Sequence, residues 1–157
     1  MTSVTREDAE PGPSRRERLR DELVAEIKRA ARVQLAEKGP SGISWRAIAR
    51  EVGMSPAALY TYFPSLDDLY TALIGDSFDS LAEWVKAGID AFEDSSVSDR
   101  LTAGIASYRE WSLRHPEEFR LIFQNVIPGY EAPEHDHTVA ANLRSSAYFL
   151  ALLVEGW

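Results

Sequence analysis

Residues 45–63 read WRAIAREVGMSPAALYTYF, and the fold turns on this stretch. Apolar residues fall at helical spacing on both sides of Val52-Gly53-Met54-Ser55. Gly53 permits a sharp turn because glycine tolerates a left-handed backbone. Ser55 can cap the helix that follows, and Pro56 suits its first position, where a missing N–H costs nothing. Pro64 disfavours helical geometry at Phe63, which predicts a second helix of roughly seven residues and about 10 Å. Ser44 can cap the first helix of the pair, from Trp45 to about Val52. Ala49 is small where the two helices must approach, and Ile48, Val52 and Leu59 are expected beneath them. This is the helix-turn-helix plan, whose second helix enters the major groove of DNA. An ordinary helical hairpin, with a glycine turn that serves packing alone, fits the same spacing.

Upstream, Leu19, Leu23, Ile27, Ala30, Ala31 and Leu35 mark a helix of about six turns from Arg15 to Lys38. Gly39, Pro40 and Gly42 stop it. Residues 1–14 are polar, with Pro11, Gly12 and Pro13, and predict a disordered leader. Downstream, Ser65 with Asp68 resembles a capping box opening a helix that reaches about Phe92. Residues 93–99 are a polar, serine-rich connection. Helices are expected over about 100–114, 116–126 and 139–157, with a loop over 128–136. No strand pattern of useful length occurs. The reading is all-α: a leader over 1–14, a helix-turn-helix domain over 15–64 and a helical domain over 65–157. The last segment is still apolar and periodic where it stops, which suggests an incomplete C-terminus.

The 157 residues are 45% apolar, enough for a packed core. With no cysteine, disulfides, thiolate zinc sites and cysteine nucleophiles are excluded. No run approaches ~18 apolar residues, and the N-terminus has no secretory pattern. The expectation is a cytoplasmic chain that does not engage a membrane. The net charge of −8 is uneven. Residues 1–60 hold 11 basic against 9 acidic side chains, and the remainder 6 against 16. A basic end joined to an acidic body is expected when one end touches a polyanion. Arg15, Arg16, Arg18 and Arg20 crowd a helix N-terminus, where the helix dipole disfavours positive charge. Phosphate would compensate them; a solvated arginine cluster is the other reading.

The stretch from about Arg16 to Leu69 resembles the DNA-binding domain of the TetR/AcrR family of transcriptional regulators. The residues that carry the likeness are Ala31 to Leu35, Gly39, Ile43-Ser44, Arg46, Ile48-Ala49, Val52-Gly53-Met54-Ser55, Leu59-Tyr60, Tyr62-Phe63 and Ser65. A regulatory-domain subgroup is similar through Tyr108-x-x-Trp111, His115-Pro116-Glu117 and Pro128-Gly129-Tyr130. The resemblance implies a homodimer, a three-helix reading head and a helical ligand-responsive domain. Two features depart from the pattern. Leu66 stands where members commonly place a phosphate-gripping lysine, and the chain is shorter than the family's usual length.

The candidate DNA-binding set is Arg15, Arg16, Arg18, Arg20, Ser44, Arg46, Ser55, Pro56, Ala57, Ala58, Tyr60, Thr61 and Tyr62. Ala58 and Thr61 offer methyl groups to thymine, and Tyr60 and Tyr62 suit phosphates. Arg46 is the one strong reader, able to reach guanine O6 and N7. Twelve of the sixteen aromatics follow Pro64, where most should fill a core. Trp84, Tyr108, Trp111 and Phe123 are the candidates for lining a small-molecule pocket.

His135 and His137, with Glu131, Glu134 and Asp136, lack the helical spacing of a catalytic zinc motif and read as a solvated loop. No metal, cofactor or catalytic residue set is expected. The predicted function is a ligand-responsive regulator, in the repressor sense, that binds a near-palindromic double-stranded operator as a homodimer and answers an unidentified effector. Two alternatives stay open. One is a helical interaction protein with a degenerate helix-turn-helix, the other a small-molecule-binding bundle that ignores DNA.

Overall fold

The computed structural model describes residues 12, 14–124, 127, 129, 130 and 137–156. Among them are seven α-helices, one short 3-10 turn at Pro40–Gly42 and no strand, so the all-α expectation holds. The helices are α1 (Arg15–Lys38), α2 (Trp45–Glu51), α3 (Pro56–Leu59), α4 (Leu66–Asp90), α5 (Val97–Arg114), α6 (Pro116–Phe123) and α7 (His137–Glu155). The expected leader, apart from Gly12 and Ser14, and most of the loop over 128–136 lie outside the described residues.

Local chemistry sets the helix starts. Ser14 Oγ accepts the Glu17 N–H at 3.3 Å, and the Glu17 carboxylate accepts the Ser14 N–H at 2.6 Å. This capping box makes Ser14 part of α1 and supplies negative charge at an arginine-rich first turn. The hydrogen bonds from Ser14 hold the Glu17 carboxyl below the usual glutamate range. A carboxyl lowered in the folded chain stabilises above its unfolded value, and that contribution is lost as pH falls through its folded value. Acidification through the carboxylate range is therefore expected to lower the amide protection factors, corrected for the slower intrinsic exchange in acid, at residues 14–18 before those at residues 27–35. An equal fall at both places would show that the box does not hold the helix start.

Two other starts differ from expectation. Ser96 caps α5, accepting the Asp99 N–H at 3.2 Å, so that helix begins at Val97 rather than near residue 100. At α4, Ser65 Oγ accepts the Asp68 N–H at 3.1 Å and donates to the Asp68 carboxylate at 2.6 Å. The second bond comes from the hydroxyl, not from the Ser65 backbone as in a full capping box. The α5–α6 corner falls at His115, because Pro116 opens α6 and cannot continue the α5 ladder.

α4 is the spine. Leu69, Tyr70, Leu73, Ile74 and Phe78 from its first half are buried with Ile27, Ala31 and Leu35 of α1, Ile48 and Ala49 of α2, and Leu59 of α3. Leu81, Val85 and Ile89 from its second half are buried with Trp111 of α5 and Leu152 of α7. Each fully buried leucine or isoleucine contributes about 1.5–3 kcal/mol. Leu121, Ile127 and Ala141 join the first cluster, so the helix-turn-helix shares its core with the helices that follow. Polar contacts add to this junction. The Tyr70 hydroxyl, buried, donates to the Pro40 carbonyl at 2.9 Å. Arg32 of α1 donates to Asp76 of α4 and Glu118 of α6, each at 3.1 Å, and Lys28 reaches Asp76 at 2.9 Å.

Candidate nucleic-acid interface

The reading unit is built from α2, its turn and α3. Ile48 and Ala49 are buried, and Val52 packs half-buried against the same core. Gly53 takes φ +69°, and the Met54 N–H returns to the Ala49 carbonyl at 2.9 Å. A left-handed residue at a helix end redirects the chain in this way. Ser55 Oγ then accepts the Ala58 N–H at 3.2 Å, and Pro56 takes the first position of α3. Leu59 of α3 is buried and Ala58 half-buried, while Pro56 and Ala57 face outward.

Two local expectations need correction. α3 has four helical residues rather than seven. Beyond Leu59 the chain tightens: the Thr61 and Tyr62 N–H groups bond to the Ala58 and Leu59 carbonyls three residues back. Ser44 occupies the N-cap position of α2 but makes no side-chain cap bond. Its backbone N–H donates instead to Oε1 of buried Gln34 at 2.8 Å. Gln34 thus seats the start of α2, and only a contact ten residues away reveals its role.

Ser44, Arg46, Ser55, Pro56, Ala57, Tyr60 and Thr61 are exposed, with Ala58 and Tyr62 half-buried. Tyr60 leans on Trp45, ring centroids 5.7 Å apart. Arg15, Arg16, Arg18 and Arg20 are exposed on α1. Three of them meet the end of α3: Arg15, Arg16 and Arg20 line an open groove of about 760 Å³ with Leu23, Thr61 and Tyr62. Arg18 does not line it, and Arg46 stands apart on α2. Leu66, in the place of the family's usual lysine, packs half-buried on the first core.

The four aromatic candidates divide. Tyr108 and Phe123 lie 6.3 Å apart and line a cavity of about 380 Å³ between α5, α6 and α7. Trp111 is fully buried, its indole N–H donating to Ser80 Oγ at 3.0 Å and its ring stacked 5.3 Å from His115. Trp84 flanks the same histidine at 6.0 Å and carries the Arg114 guanidinium on its face. Neither tryptophan lines the cavity. Asn142, Ser146, Phe149 and Leu150 of α7 line it instead. Their spacing of four, three and one residues is one helix face, a periodicity that could have singled them out. Burial pushes the Tyr108 hydroxyl pKa up, so the phenol stays neutral there.

Glu131, Glu134, His135 and Asp136 lie outside the described residues, as does the His137 side chain. Among the described residues no group of three or more histidine or acidic side chains is placed to hold a metal. No described helix is long and apolar enough to cross a membrane.

Residues 27–73 match the family model described as bacterial regulatory proteins, tetR family. Residues 101–157 match one described as the tetracyclin repressor-like C-terminal domain. The HTH-type transcriptional regulator Mb1846 of Mycobacterium bovis is 34% identical over 142 residues, covering 90% of this chain and 60% of the relative. The HTH-type transcriptional activator FasR of Mycolicibacterium smegmatis is 28% identical over 106 residues, 68% of this chain and 48% of that protein. In the crystal structure of the protein SCO4313 the same fold recurs with a TM-score of 0.74 and 35% identity, over 92% of this chain and 67% of that one. The chain spans about 60% of the length of the first of these relatives.

Proposed function

The chain belongs to the TetR family of bacterial transcriptional regulators, with a helix-turn-helix DNA-binding domain, and we propose that it is a cytoplasmic, ligand-responsive repressor gripping a near-palindromic operator as a homodimer. In this reading residues 15–64 read DNA and residues 65–157 respond to ligand and pair. The observation that carries it is the α2–α3 unit: a four-residue helix turned outward on Gly53, beside a groove lined by Arg15, Arg16 and Arg20.

In such a two-fold dimer the reading helices would stand about 34–36 Å apart, one turn of duplex. Two arrangements support the finer parts. α7 leaves Leu143, Leu150, Leu153 and Val154 at least half exposed, apolar surface suited to burial against a second copy. α6 joins the cavity to the reading head, with Phe123 at one end and the Glu118–Arg32 ion pair at the other. Ligand in the cavity would bias that link, and DNA would weaken ligand binding by the same factor. Catalysis has no part in the reading.

A salt titration of duplex binding tests it. Operator and random duplex should both bind, with log K falling as log salt rises. Replacing Arg15 and Arg16 together with alanine should weaken both duplexes alike and lower the slope by about 0.9 per lost phosphate contact. An unchanged slope would make these arginines merely solvated, and no binding at low salt would sink the DNA reading. Light scattering tests the dimer: a monomer that binds a single half-site would overturn that part.

A further inference from the structure

α3 is too short to hold its own shape. Four residues rise about 6 Å, and an isolated helix of that length does not persist. The carbonyls at its end need donors. Ala58 and Leu59 find them in the N–H groups of Thr61 and Tyr62. The Phe63 N–H reaches back four residues to Leu59 as well, so it does not serve Tyr60, and a donor three residues on is closed to the Thr61 carbonyl because Pro64 has no N–H. The guanidinium of Arg20, forty-one residues earlier on α1, takes that place: its Nη2 donates to the Thr61 carbonyl at 3.4 Å. The same guanidinium lies 5.4 Å from the centroid of the Tyr62 ring. One planar fork thus reaches the Thr61 carbonyl at the long end of hydrogen-bond range and lies over the aromatic ring, a combination that suits the flat guanidinium better than the compact ammonium of lysine.

We propose that Arg20 is a positioning residue for DNA reading: it splints the end of α3 and presents Tyr62, and does not itself anchor a phosphate. This rests on the DNA-binding reading above. The splint has two sides. Trp45 of α2 supports Tyr60 from one, and Arg20 of α1 supports Thr61 and Tyr62 from the other. The arginine cluster therefore divides by role. Arg15 and Arg16 line the groove toward the duplex, and Arg20 spends its geometry on the protein.

Charge-conserving and charge-removing variants separate the two roles. A phosphate anchor tolerates Arg20→Lys, and Arg20→Gln lowers the salt slope by about 0.9. A splint predicts the opposite order of importance. Arg20→Lys should lose about two- to fivefold in operator affinity, on the scale of an exposed cation–aromatic contact, with the slope unchanged. In a Tyr62→Leu background, Arg20→Lys should change affinity less than twofold. A DNA-free readout accompanies these: in the NMR spectrum of the wild-type protein the Arg20 δ-methylene protons should be shifted upfield by the Tyr62 ring, and Tyr62→Leu should abolish the shift.

Wild-type binding by Arg20→Lys, full additivity with Tyr62→Leu, or absence of the ring-current shift would each overturn the proposal. Failure of the wild-type chain to bind any duplex, with the shift intact, would instead overturn the DNA reading on which the proposal rests.

Discussion

Trp111→Ala is expected to cost about 3–5 kcal/mol of folding stability, the range for truncating a buried large aromatic. Trp111 is 0% exposed and sits where α4, α5 and α7 meet, packed with Leu81, Val85, Ile89 and Leu152. Three losses coincide. The indole leaves a cavity among buried neighbours that relax only in part. Ser80 Oγ loses the indole N–H that donates to it at 3.0 Å. His115, at the α5–α6 corner, loses the ring stacked on it at 5.3 Å. Urea unfolding checks the value through a fall in midpoint at constant slope. Trp111→Phe, which keeps most of the volume and loses the N–H, should recover more than half of the loss. A cost within about 0.5 kcal/mol, the size of an ordinary surface change, would show that Trp111 faces a ligand space and not the core.

Trp111 also marks where sequence reading stops. The spacing of Tyr108 and Trp111 puts both on α5 without saying which faces α4 and which faces a cavity. That depends on where α7 lies, and α7 is joined to α6 by a segment whose path no local pattern dictates. Features governed by neighbours in sequence were legible. They include the bounds of α1, the left-handed turn at Gly53 and the cap of Ser55 on α3.

Features governed by distant partners were not. Ser44 looks like a capping serine, yet its N–H is claimed by Gln34 across a tertiary contact. The Arg32 bridges to Asp76 and Glu118 span 44 and 86 residues, beyond any periodicity. The start of α5 failed for a different reason. Ser96 and Asp99 repeat the spacing of Ser65 and Asp68, a local start signal hidden within a serine-rich run. The length of α3 failed because beyond Leu59 the Thr61 and Tyr62 N–H groups return to carbonyls three residues back, a turn that the apolar spacing does not distinguish from helix.

Arg46→Ala is expected to cost about 1–3 kcal/mol of operator affinity and to relax one base pair in each half-site. The argument is by supply of hydrogen bonds. The outward residues at α3 are Ser55, Pro56, Ala57, Ala58, Tyr60, Thr61 and Tyr62, and none carries the paired donors that read guanine or the amide that reads adenine. Tyr62 is engaged with Arg20, and Tyr60 with Trp45, which leaves their hydroxyls suited to backbone phosphates. Ala58 and Thr61 add at most methyl contact to thymine. Arg46 is exposed on the second residue of α2, and its fork can address guanine O6 and N7 together. The half-site should therefore hold one stringent G·C pair beside a softer thymine preference.

Selection from random duplexes, followed by titration at fixed salt, distinguishes the outcomes. Loss of one stringent position, with the salt slope kept, is the expected result. If Arg46 instead grips phosphate, the variant will select the wild-type motif at uniformly lower affinity, with the slope reduced by about 0.9. Base discrimination would then have to come from duplex shape and deformability, because α3 itself has too few donors to supply it.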